Sequence, residues 1–432
     1  MQNKILRQAE LAKEASIKLA ILPTNAKNKI LLEMAKSIEE NALRIINEND
    51  KDVKAAENSK LNSVLIKRLR VDKQKIKEMT EEIKNVAKLE DPLGKLLSQV
   101  ELDKGLMLYQ ITCPIGVIGA IFESRPDVVT QIAALCLKSG NAIILKGGSE
   151  ARNSNRILVK IIAKTAEKNG APKGWVQLLE TREEVANMLK LNEYINLIIP
   201  RGSNSFVKYV QESTSIAVLG HSEGICHIFI DKDADVKKAI NICFDAKCQY
   251  PAVCNSVETL LIHKDVAGRF LPKMIKKFKE ANVEVRGDKY VIKMTDGIKN
   301  AKESDWSTEY NDLIVSIKVV NHINEAINHI NKYGSKHTDS IVTENKKNAV
   351  LFMNLVDSSS VMWNASTRFS DGFKYGKGAE VGISTAKIHA RGPVGLEGLV
   401  IYKYQLIGNG HIVKDYIGKD AKKFIHRIIK KS

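Results

Sequence analysis

Cysteine is scarce in this sequence, and its spacing fits neither a disulfide scaffold nor a common zinc site. The 432 residues include six cysteines, none of them in a C-x-x-C pair, and no histidine pair has the H-E-x-x-H spacing. A small secreted domain held by disulfides is therefore excluded, and a structural zinc site is not expected. In a chain of this length and kind we expect mostly reduced cysteines.

Long apolar segments are also lacking. The longest uncharged run covers residues 105–122 and contains Gln110, Pro114 and Gly116, so it predicts two strands broken near Pro114 rather than a membrane span. Charges recur every few residues near the N-terminus, unlike the pattern of a signal peptide. These features lead us to expect a cytoplasmic protein without a membrane segment.

Positive charge is in excess. Lys and Arg number 67 against 50 Asp and Glu, which gives a formal net charge of +17, and hydrophobic residues make up 44%. The apolar content is sufficient for buried cores, whereas the charge would also suit a nucleic-acid-binding protein. The lysines are spread throughout without an aromatic-basic stripe or a helix-turn-helix signature, so this alternative is the weaker one.

Apolar periodicity divides the chain into a helical start and two α/β sections. Residues 1–90 have helical spacing, with a start at Thr24 and a cap near 49–52, and residues 103–105 (Asp-Lys-Gly) predict a hairpin turn. Strands and helices then alternate in two sections separated near 231–254, which is typical of doubly wound parallel sheets. The predicted strands are 117–122, 142–145, 176–179, 197–199, 257–262, 283–285, 313–320 and 340–342. The predicted helices between them are 128–138, 151–169, 182–189, 205–212, 266–280 and 324–332.

Two strand-to-helix turns are candidates for binding a phosphate. They are residues 146–149 (Lys-Gly-Gly-Ser) and residues 201–204 (Arg-Gly-Ser-Asn). Glycine lets the backbone approach a ligand, and the free N–H groups of a helix start favour an anion. Either turn alone could be an ordinary capped turn. Two in one predicted sheet favour a dinucleotide site, although the G-x-G-x-x-G fingerprint is absent.

A candidate nucleophile lies in the segment 248–258. Cys254 stands on a predicted loop with Pro251, where a thiolate could attack a carbonyl or acyl centre. Asn255 and neighbouring backbone N–H groups could hold the oxyanion. Cys248 is a rival on spacing, and the alternative for either cysteine is a small buried apolar residue.

A polar, glycine-rich region near the end of the chain is a candidate substrate-binding loop system. Residues 364–369, 376–384 and 389–393 combine hydroxyl groups and glycines with Arg368 and Arg391. Arginine suits a carboxylate or a phosphate, so these loops could hold an anionic substrate. A solvated loop would have the same composition.

Together these segments resemble the aldehyde dehydrogenase superfamily. The order of the 116–119 strand, the Lys146 turn, the 202–203 turn and Cys254 is similar to the order in that superfamily. The similarity extends over residues 10–420. The segments most similar to the branch that reduces an acyl phosphate are residues 121–127, 251–255, 364–369 and 389–393. The resemblance implies NADPH-dependent reduction of L-glutamyl 5-phosphate to glutamate 5-semialdehyde, a step of proline biosynthesis.

The resemblance also implies an α/β architecture of two doubly wound parallel-sheet domains and a small β oligomerisation flap. An NADP-binding domain would hold residues 1–94 and 114–240 with part of 363–395, and a catalytic domain residues 241–362. The flap would hold residues 95–113 and 396–432. A flap of this kind implies a homo-oligomer. A complex with glutamate 5-kinase would be useful, because the acyl phosphate cyclises readily.

The resemblance implies a chemical role for Cys254, which decides against Cys248. Its thiolate would displace phosphate, and the thioester would then be reduced. Hydrolytic members carry a glutamate that activates water where this chain has Val218, so a hydrolytic aldehyde dehydrogenase acting on glutamate semialdehyde is the weaker alternative. Arg125 matches the oxyanion-hole asparagine and would contact the phosphoryl group or the oxyanion.

Further site residues follow from the resemblance alone. Lys146 and Ser149 would contact the adenosine ribose, and Glu309 the nicotinamide ribose. The other expected cofactor-binding residues are Gly147, Arg201, Gly202, Ser203 and Gly220. The expected substrate-binding residues are Asn364, Ser366, Thr367, Arg368 and Arg391. No metal is expected.

Overall fold

Five helices lie within residues 2–88 of the described structure, in agreement with the helical spacing predicted for residues 1–90. They are seen in a computed structural model, which describes residues 2–221, 223–295 and 297–431. The helices are α1 (Gln2–Leu19), α2 (Thr24–Glu40), α3 (Ala42–Asn58), α4 (Ser63–Leu69) and α5 (Lys73–Lys88). The start at Thr24 is confirmed.

The predicted cap near residues 49–52 is wrong, because this segment lies inside α3. Asp52 is buried and acts on another helix. Its carboxylate accepts hydrogen bonds from the backbone N–H groups of Asn153 at 3.1 Å and Ser154 at 2.8 Å. Asp52 therefore satisfies free N–H groups at the start of a helix about a hundred residues further along the chain.

A hairpin and a parallel five-stranded sheet follow. Strands β1 (Leu96–Asp103) and β2 (Leu106–Pro114) pair antiparallel around the predicted turn. The next elements are β3 (Val117–Phe122), α6 (Asp127–Lys138), β4 (Ala142–Lys146), α7 (Arg152–Lys168), β5 (Val176–Leu179), α8 (Arg182–Met188), β6 (Leu197–Arg201), α9 (Asn204–Glu212) and β7 (Ala217–Val218). The strand order is β5-β4-β3-β6-β7. Because β3 is buried along its whole length, its sequence is a continuous apolar run rather than an alternating one.

A second parallel sheet has seven strands in the order β11-β10-β12-β9-β8-β13-β14. Its elements are β8 (Cys226–Ile230), α10 (Val236–Cys248), β9 (Val257–His263), α11 (Lys264–Glu280), β10 (Glu284–Gly287), α12 (Lys289–Met294), β11 (Lys299–Asn300), β12 (Ile314–Val320), α13 (Ile323–Tyr333), β13 (Thr338–Val342), α14 (Lys346–Leu355) and β14 (Ser360–Trp363). Leu260 and Ile262 pack into one core and Leu261 into another, so both faces of the sheet are covered. The predicted doubly wound α/β class is confirmed.

The chain divides into two compact units. The first holds residues 1–202, 209–218 and 394–432, and the second holds residues 203–208 and 219–393. This division differs from the boundary predicted at about residue 240. Strand β8 pairs with β9 and β13 in the seven-stranded sheet, so the second unit begins before β8. Residues 363–393 belong to this second unit.

The remaining strands are short or exposed. Strands β15 (Gly382–Ser384) and β16 (Gly392–Val394) form a small sheet. Strand β17 (Val400–Ile407) pairs with β2, and β18 (Arg427–Lys431) pairs with β1. The antiparallel sheet β17-β2-β1-β18 is called the flap below. Apart from its first residue, β17 is exposed along its length.

Within residues 2–221, 223–295 and 297–431, no helix combines the length and the apolar content that crossing a bilayer requires.

Candidate active site

The candidate nucleophile lies on the loop between α10 and β9. Cys254 is half-buried there, less exposed than its loop position predicts, and the N–H of Ser256 donates to the carbonyl of Val253 at 2.9 Å. Gly224, just before β8, packs on this turn. A Cβ atom at Gly224 would lie 2.1 Å from the carbonyl oxygen of Cys254 and 2.5 Å from its Cα. Glycine is required at this position because any larger residue would displace the nucleophile.

Two histidines surround the sulfur. The Sγ atom of Cys254 and one ring nitrogen from each of His221 and His337 lie within 4.8 Å of one another. The two imidazole rings meet edge to face, with their centroids 4.9 Å apart. The thiol of Cys226, the first residue of β8, donates to the carbonyl of Cys254 at 3.2 Å and so holds the turn against this strand. Neither histidine is among the site residues predicted from the sequence.

The surroundings of Cys254 oppose a lone thiolate. Burial, followed by the negative charges of Glu309 and Glu380, raises the pKa of the thiol to about 12. The guanidinium of Arg368 acts in the opposite direction, but its effect is smaller. The nucleophile therefore needs a group that takes its proton.

The rival cysteine has a different environment. Cys248 is the last residue of α10, and its side chain packs against the larger core of the second unit. The carboxyl end of a helix carries partial negative charge, which disfavours a thiolate. Burial also raises the pKa of the Cys248 thiol. The helix end therefore disfavours Cys248, whereas the raised pKa is shared with Cys254 and does not separate the two cysteines.

Asn255 and Thr367 tie the Cys254 turn to the segment that follows β14. The side-chain amide of Asn255 donates to the carbonyl of Ser370 at 2.8 Å, and the hydroxyl of Thr367 donates to the carbonyl of Asn255 at 2.7 Å. Both residues are buried. The amide of Asn255 thus keeps one of its two hydrogens for an oxyanion.

Some of the predicted substrate-binding residues have their polar groups bonded within the fold, whereas others are accessible. The amide of Asn364 accepts from the N–H of Thr343 and donates to its carbonyl, at 2.9 and 3.0 Å. Ser366 is buried and accepts from the N–H of Arg368 at 3.3 Å. Arg368 is half-buried, and its Nε donates to Gln249 at 2.9 Å. Of these three predicted residues, Arg368 is the one whose charge reaches the sulfur.

Arg391 is engaged within the fold. Its Nη1 lies 3.0 Å from a carboxylate oxygen of Asp357, and its Nη2 donates to the carbonyl of Asp357 at 3.1 Å. Lys387 contacts the same carboxylate at 2.8 Å. These contacts give Arg391 a structural role at the base of the glycine-rich loops.

Glu309 lies on the loop before β12 and is half-buried. Its carboxylate accepts a hydrogen bond from the side chain of Asn204, the first residue of α9, at 2.9 Å. The loop itself is fixed by Asp305, whose carboxylate accepts from the hydroxyl of Tyr310 at 2.9 Å. Glu309 is thus held in place while its charge acts on Cys254.

In the first unit, three basic residues lie at or shortly after the carboxyl ends of strands of the five-stranded sheet. Lys146 ends β4 and pairs in register with Ile121, and Arg201 ends β6 and pairs with Phe122. Arg125 follows β3 directly. The order β5-β4-β3-β6-β7 changes direction between β3 and β6, and ligands bind parallel sheets outside the carboxyl ends of the strands at such a point. The edge suits an anionic dinucleotide.

The two predicted phosphate-binding turns differ from each other. In the first, Ser149 opens a 3-10 helix without capping it, and Asp52 already occupies N–H groups at the start of α7. Lys146 and Ser149 would therefore bind an anion there by their side chains. In the second, Gly202 and Ser203 are exposed before α9, and Arg201 donates to Gln131 at 3.0 Å.

Close packing explains the glycine at position 147, in the first of these turns. A Cβ at Gly147 would lie 2.0 Å from the side-chain nitrogen of Asn155. Packing within the protein therefore requires glycine at this position. Gly220 is buried, and its carbonyl accepts from the N–H of Thr385 at 3.4 Å. Val218 ends the edge strand β7 and carries no group that could activate water.

Arg125 lines a pocket of about 400 Å³ in the first unit. The pocket is rich in charge of both signs, and its lining residues are Lys67, Arg68, Arg70, Asp72, Gln74, Lys75, Glu78, Arg125 and Asp127. The guanidinium of Arg125 lies 3.6 Å from Asp127, which Lys75 contacts at 3.1 Å. The turn before Arg125 is held by Glu150, which accepts from the N–H and the hydroxyl of Ser124, both at 2.7 Å.

A doubly wound unit with a basic strand edge and a second α/β unit with a loop cysteine are the arrangement that the sequence resemblance implies for an aldehyde dehydrogenase. The model described as the aldehyde dehydrogenase family matches residues 2–296. The γ-glutamyl phosphate reductase of Methanococcoides burtonii is 56% identical, over 99% of this chain and 97% of that protein. That of Acetivibrio thermocellus is 54% identical, over 99% of both.

A solved structure agrees. The crystal structure of γ-glutamyl phosphate reductase from Thermotoga maritima has a TM-score of 0.93 and 40% sequence identity, and the match covers 94% of this chain and 99% of that one. The chain belongs to the aldehyde dehydrogenase family and, within it, to the γ-glutamyl phosphate reductases. The resemblance seen in the sequence is confirmed.

Proposed function

We propose that the chain reduces L-glutamyl 5-phosphate to L-glutamate 5-semialdehyde and phosphate, with NADPH as hydride donor, in the cytoplasmic synthesis of proline. The relatives over 50% identical along nearly the whole chain are named for this reaction. The observation that carries the proposal is Cys254, a loop cysteine with the basic Arg368 close enough to act on its sulfur. Such a site suits covalent attack on an anionic acyl compound.

Cys254 forms the covalent intermediate. Its thiolate attacks the acyl carbon, and the bond to the phosphate oxygen breaks, which leaves a thioester on the enzyme. Bound NADPH supplies a hydride. Asn255 and nearby backbone N–H groups hold the oxyanion, which collapses to the aldehyde and releases the thiolate.

The residue at position 218 favours reduction over hydrolysis. A hydrolytic enzyme needs a base that activates water against the thioester, and Val218 has no such group. Without that base the thioester lasts until it is reduced. We propose that Arg125 pairs with the phosphoryl group, for which its half-exposed guanidinium and the other basic residues of its pocket are suited.

The cofactor contacts are divided between two sets of residues. With NADPH bound, Lys146 and Ser149 would contact the adenosine ribose and the 2′-phosphate, and Arg201, Gly202 and Ser203 would supply further contacts. Glu309 would hold the nicotinamide ribose, which its fixed carboxylate suits. Gly147 and Gly220 are the remaining cofactor-binding residues of this proposal.

Arg368 is the principal substrate-binding residue in this proposal. The side chains of Asn364, Ser366, Thr367 and Arg391 support it by fixing the loops on which it stands, since their polar groups are engaged within the fold. Arg368→Gln is expected to raise KM for the acyl phosphate about tenfold or more, because a bidentate charged contact is lost.

The flap provides a surface for self-association. Strand β17 exposes Ile401, Tyr404, Leu406 and Ile407, between 45% and 61% accessible. An exposed apolar edge strand of this length favours pairing with another copy, so we propose a homo-oligomer. Glutamate 5-kinase is a further proposed partner, and co-purification at low salt would test it.

The reverse reaction tests the function. Glutamate semialdehyde, in equilibrium with pyrroline-5-carboxylate, should reduce NADP⁺ only when inorganic phosphate is present. Cys254→Ala should abolish this turnover, and Cys248→Ala should leave it intact. Turnover without phosphate would instead assign the chain to the hydrolytic branch.

A further inference from the structure

The nucleophile has two imidazole neighbours that come from distant parts of the sequence. His221 precedes β8 and His337 precedes β13, and these two strands are adjacent in the seven-stranded sheet. One ring nitrogen of each histidine and the Sγ of Cys254 lie within 4.8 Å of one another. A shift of about 1–2 Å would bring a ring nitrogen into hydrogen-bonding reach of the sulfur, as often happens when a substrate closes a site.

A thiol in these surroundings requires a proton acceptor. Burial and the nearby carboxylates raise the pKa of Cys254 far above neutrality, so this thiol on its own would be almost wholly protonated near pH 7. The thiolate is the reactive form of cysteine. Some neighbouring group must therefore ionise together with the thiol.

We propose that His221 accepts the thiol proton of Cys254, so that the nucleophile acts as a thiolate–imidazolium pair. The role of His221 during turnover rests on the reductase function proposed above. Formation of the thiolate–imidazolium pair does not rest on that function, because it depends only on residues of the second unit.

The charges around the pair favour this arrangement. The titratable groups facing it are Cys226 of β8, His337, Glu309, Glu380 and Arg368. Glu309 and Glu380 disfavour an isolated thiolate, and for the same reason they favour a nearby imidazolium. A pair with one charge of each sign satisfies both conditions, with Arg368 balancing the acidic residues.

The hydrogen bonds distinguish the two histidines. The Nδ1 of His221 lies 2.9 Å from the carbonyl oxygen of Ile383. A carbonyl oxygen only accepts hydrogen bonds, so Nδ1 of His221 carries the ring hydrogen and Nε2 is the basic atom. The carbonyl of Ile383 orients the ring, as the third group of a catalytic triad does. His337 is fully buried, and burial together with the charge of His221 holds its pKa well below the ordinary value. His337 thus stays neutral, and His221 takes the proton.

The proton balance agrees with this role. The Sγ–H bond breaks, the proton moves to Nε2 of His221, and the electron pair stays on sulfur to form the C–S bond. As the C–O bond breaks, His221 gives the proton to the leaving oxygen, so that hydrogenphosphate departs. Hydride addition then forms an oxyanion whose collapse breaks the C–S bond. The enzyme is left with a thiolate and a neutral His221, and one proton from solvent restores the starting state.

Alkylation of Cys254 by iodoacetamide, followed at its own peptide by mass spectrometry without substrate or cofactor, tests the pair. As the pH is raised, the alkylation rate of the wild type should reach a plateau before about pH 8, because thiols paired with a cation ionise near or below neutrality. In His221→Asn it should fall at least about tenfold near pH 7 and rise without a plateau to about pH 10. His337→Asn should keep the plateau.

His322→Asn is the matched control, because His322 caps α13 at an exposed position and asparagine is also a good cap. An unchanged pH profile in His221→Asn would overturn the proposal, as would loss of the plateau in His337→Asn alone. Nitrogen NMR of His221 in the wild type avoids the folding of variants. A neutral ring at a pH where Cys254 is a thiolate would also overturn it. Failure of the reductase assay would leave these readouts unaffected.

Discussion

The backbone of Gly224 lies against that of Cys254 so closely that a Cβ atom on the glycine would stand 2.1 Å from the cysteine carbonyl oxygen. Backbone atoms cannot yield as a flexible side chain can. Gly224→Ala should displace the Cys254 turn, lower kcat at least about tenfold, and cost about 1–3 kcal/mol of stability. Steady-state kinetics and urea unfolding would measure both.

Gly268→Ala is the matched control for this substitution. Gly268 lies inside α11, and a Cβ there would meet only the end of Met294, at 4.0 Å. Alanine in a helix interior should raise stability by about 0.5–1 kcal/mol without changing kcat. Equal kinetics for the two variants would show that the close approach at Gly224 does not position the nucleophile.

A buried ion pair lies behind the active-site loop. Lys247 and Glu258 are fully buried, and their charged atoms are 2.7 Å apart. Burial raises the pKa of Glu258 to about 7. Lys247→Met should lower the free energy of unfolding by about 3–5 kcal/mol, since it leaves an unpaired buried carboxyl group.

The double variant Lys247→Met, Glu258→Met distinguishes the loss of one charged partner from the loss of both. It should be more stable than Lys247→Met, because two apolar side chains leave no charge in the core. Additive losses in the double variant, measured by urea unfolding, would mean that the two residues act independently.

Asp305 gives a pH-dependent prediction. Burial would raise its pKa, but hydrogen bonds from the N–H of Lys302 and the guanidinium of Arg286, each at 2.6 Å, outweigh burial and lower it. A depressed pKa in the folded state contributes stability above about pH 4, and this is lost as the pH falls. Asp305→Asn should therefore cost about 1–3 kcal/mol near pH 7 and less near pH 3.

Asp415→Asn provides the comparison for Asp305→Asn. Asp415 is half-exposed and pairs with the exposed Lys422 at 3.3 Å, so its loss should change stability by less than about 0.5 kcal/mol. Urea unfolding at both pH values would measure each variant. A constant difference between wild type and Asp305→Asn across pH would contradict the assignment.

The exposed strand of the flap predicts an effect on assembly. Tyr404→Asp and Leu406→Asp place a charge on β17, where 61% and 57% of these side chains are accessible. Either variant should lower the mass measured by analytical ultracentrifugation and leave the fold intact. Ile21→Asp, at a more exposed apolar residue outside the flap, should leave the mass unchanged.

Much of the fold was predictable because its buried strands are continuous apolar runs. Strands β3, β4 and β9 and the flap hairpin appear where the sequence predicts them. Strand β8 and helix α10 were missed for a physical reason. Helix α10 buries small residues and Lys247, and β8 contains His227, which is buried against Asp339. Their partners, which make them interior, lie far away in sequence.

The site was less predictable than the fold. Cys254 stands on a loop and Arg368 on the short 3-10 helix Thr367–Phe369, in segments whose composition predicts a site. His221 and His337 become neighbours only because β8 and β13 are adjacent, which the local sequence does not reveal. Asn364 and Arg391 share the composition of a binding loop, but backbone groups and Asp357 engage them. A single histidine in the sequence does not indicate a site, and its role becomes apparent only when its neighbours in the fold are known.

The pairing of β17 with β2 has a consequence for synthesis on the ribosome. Residues 219–393 of the second unit emerge before β17 and β18 exist, and they can bury their cores while the β1–β2 hairpin has both edges open. Open edges are templates for pairing with other chains. A nascent chain is therefore most exposed to wrong association before residues 400–431 arrive. The time taken to translate residues 115–399, between the end of β2 and the start of β17, then sets how long that exposure lasts.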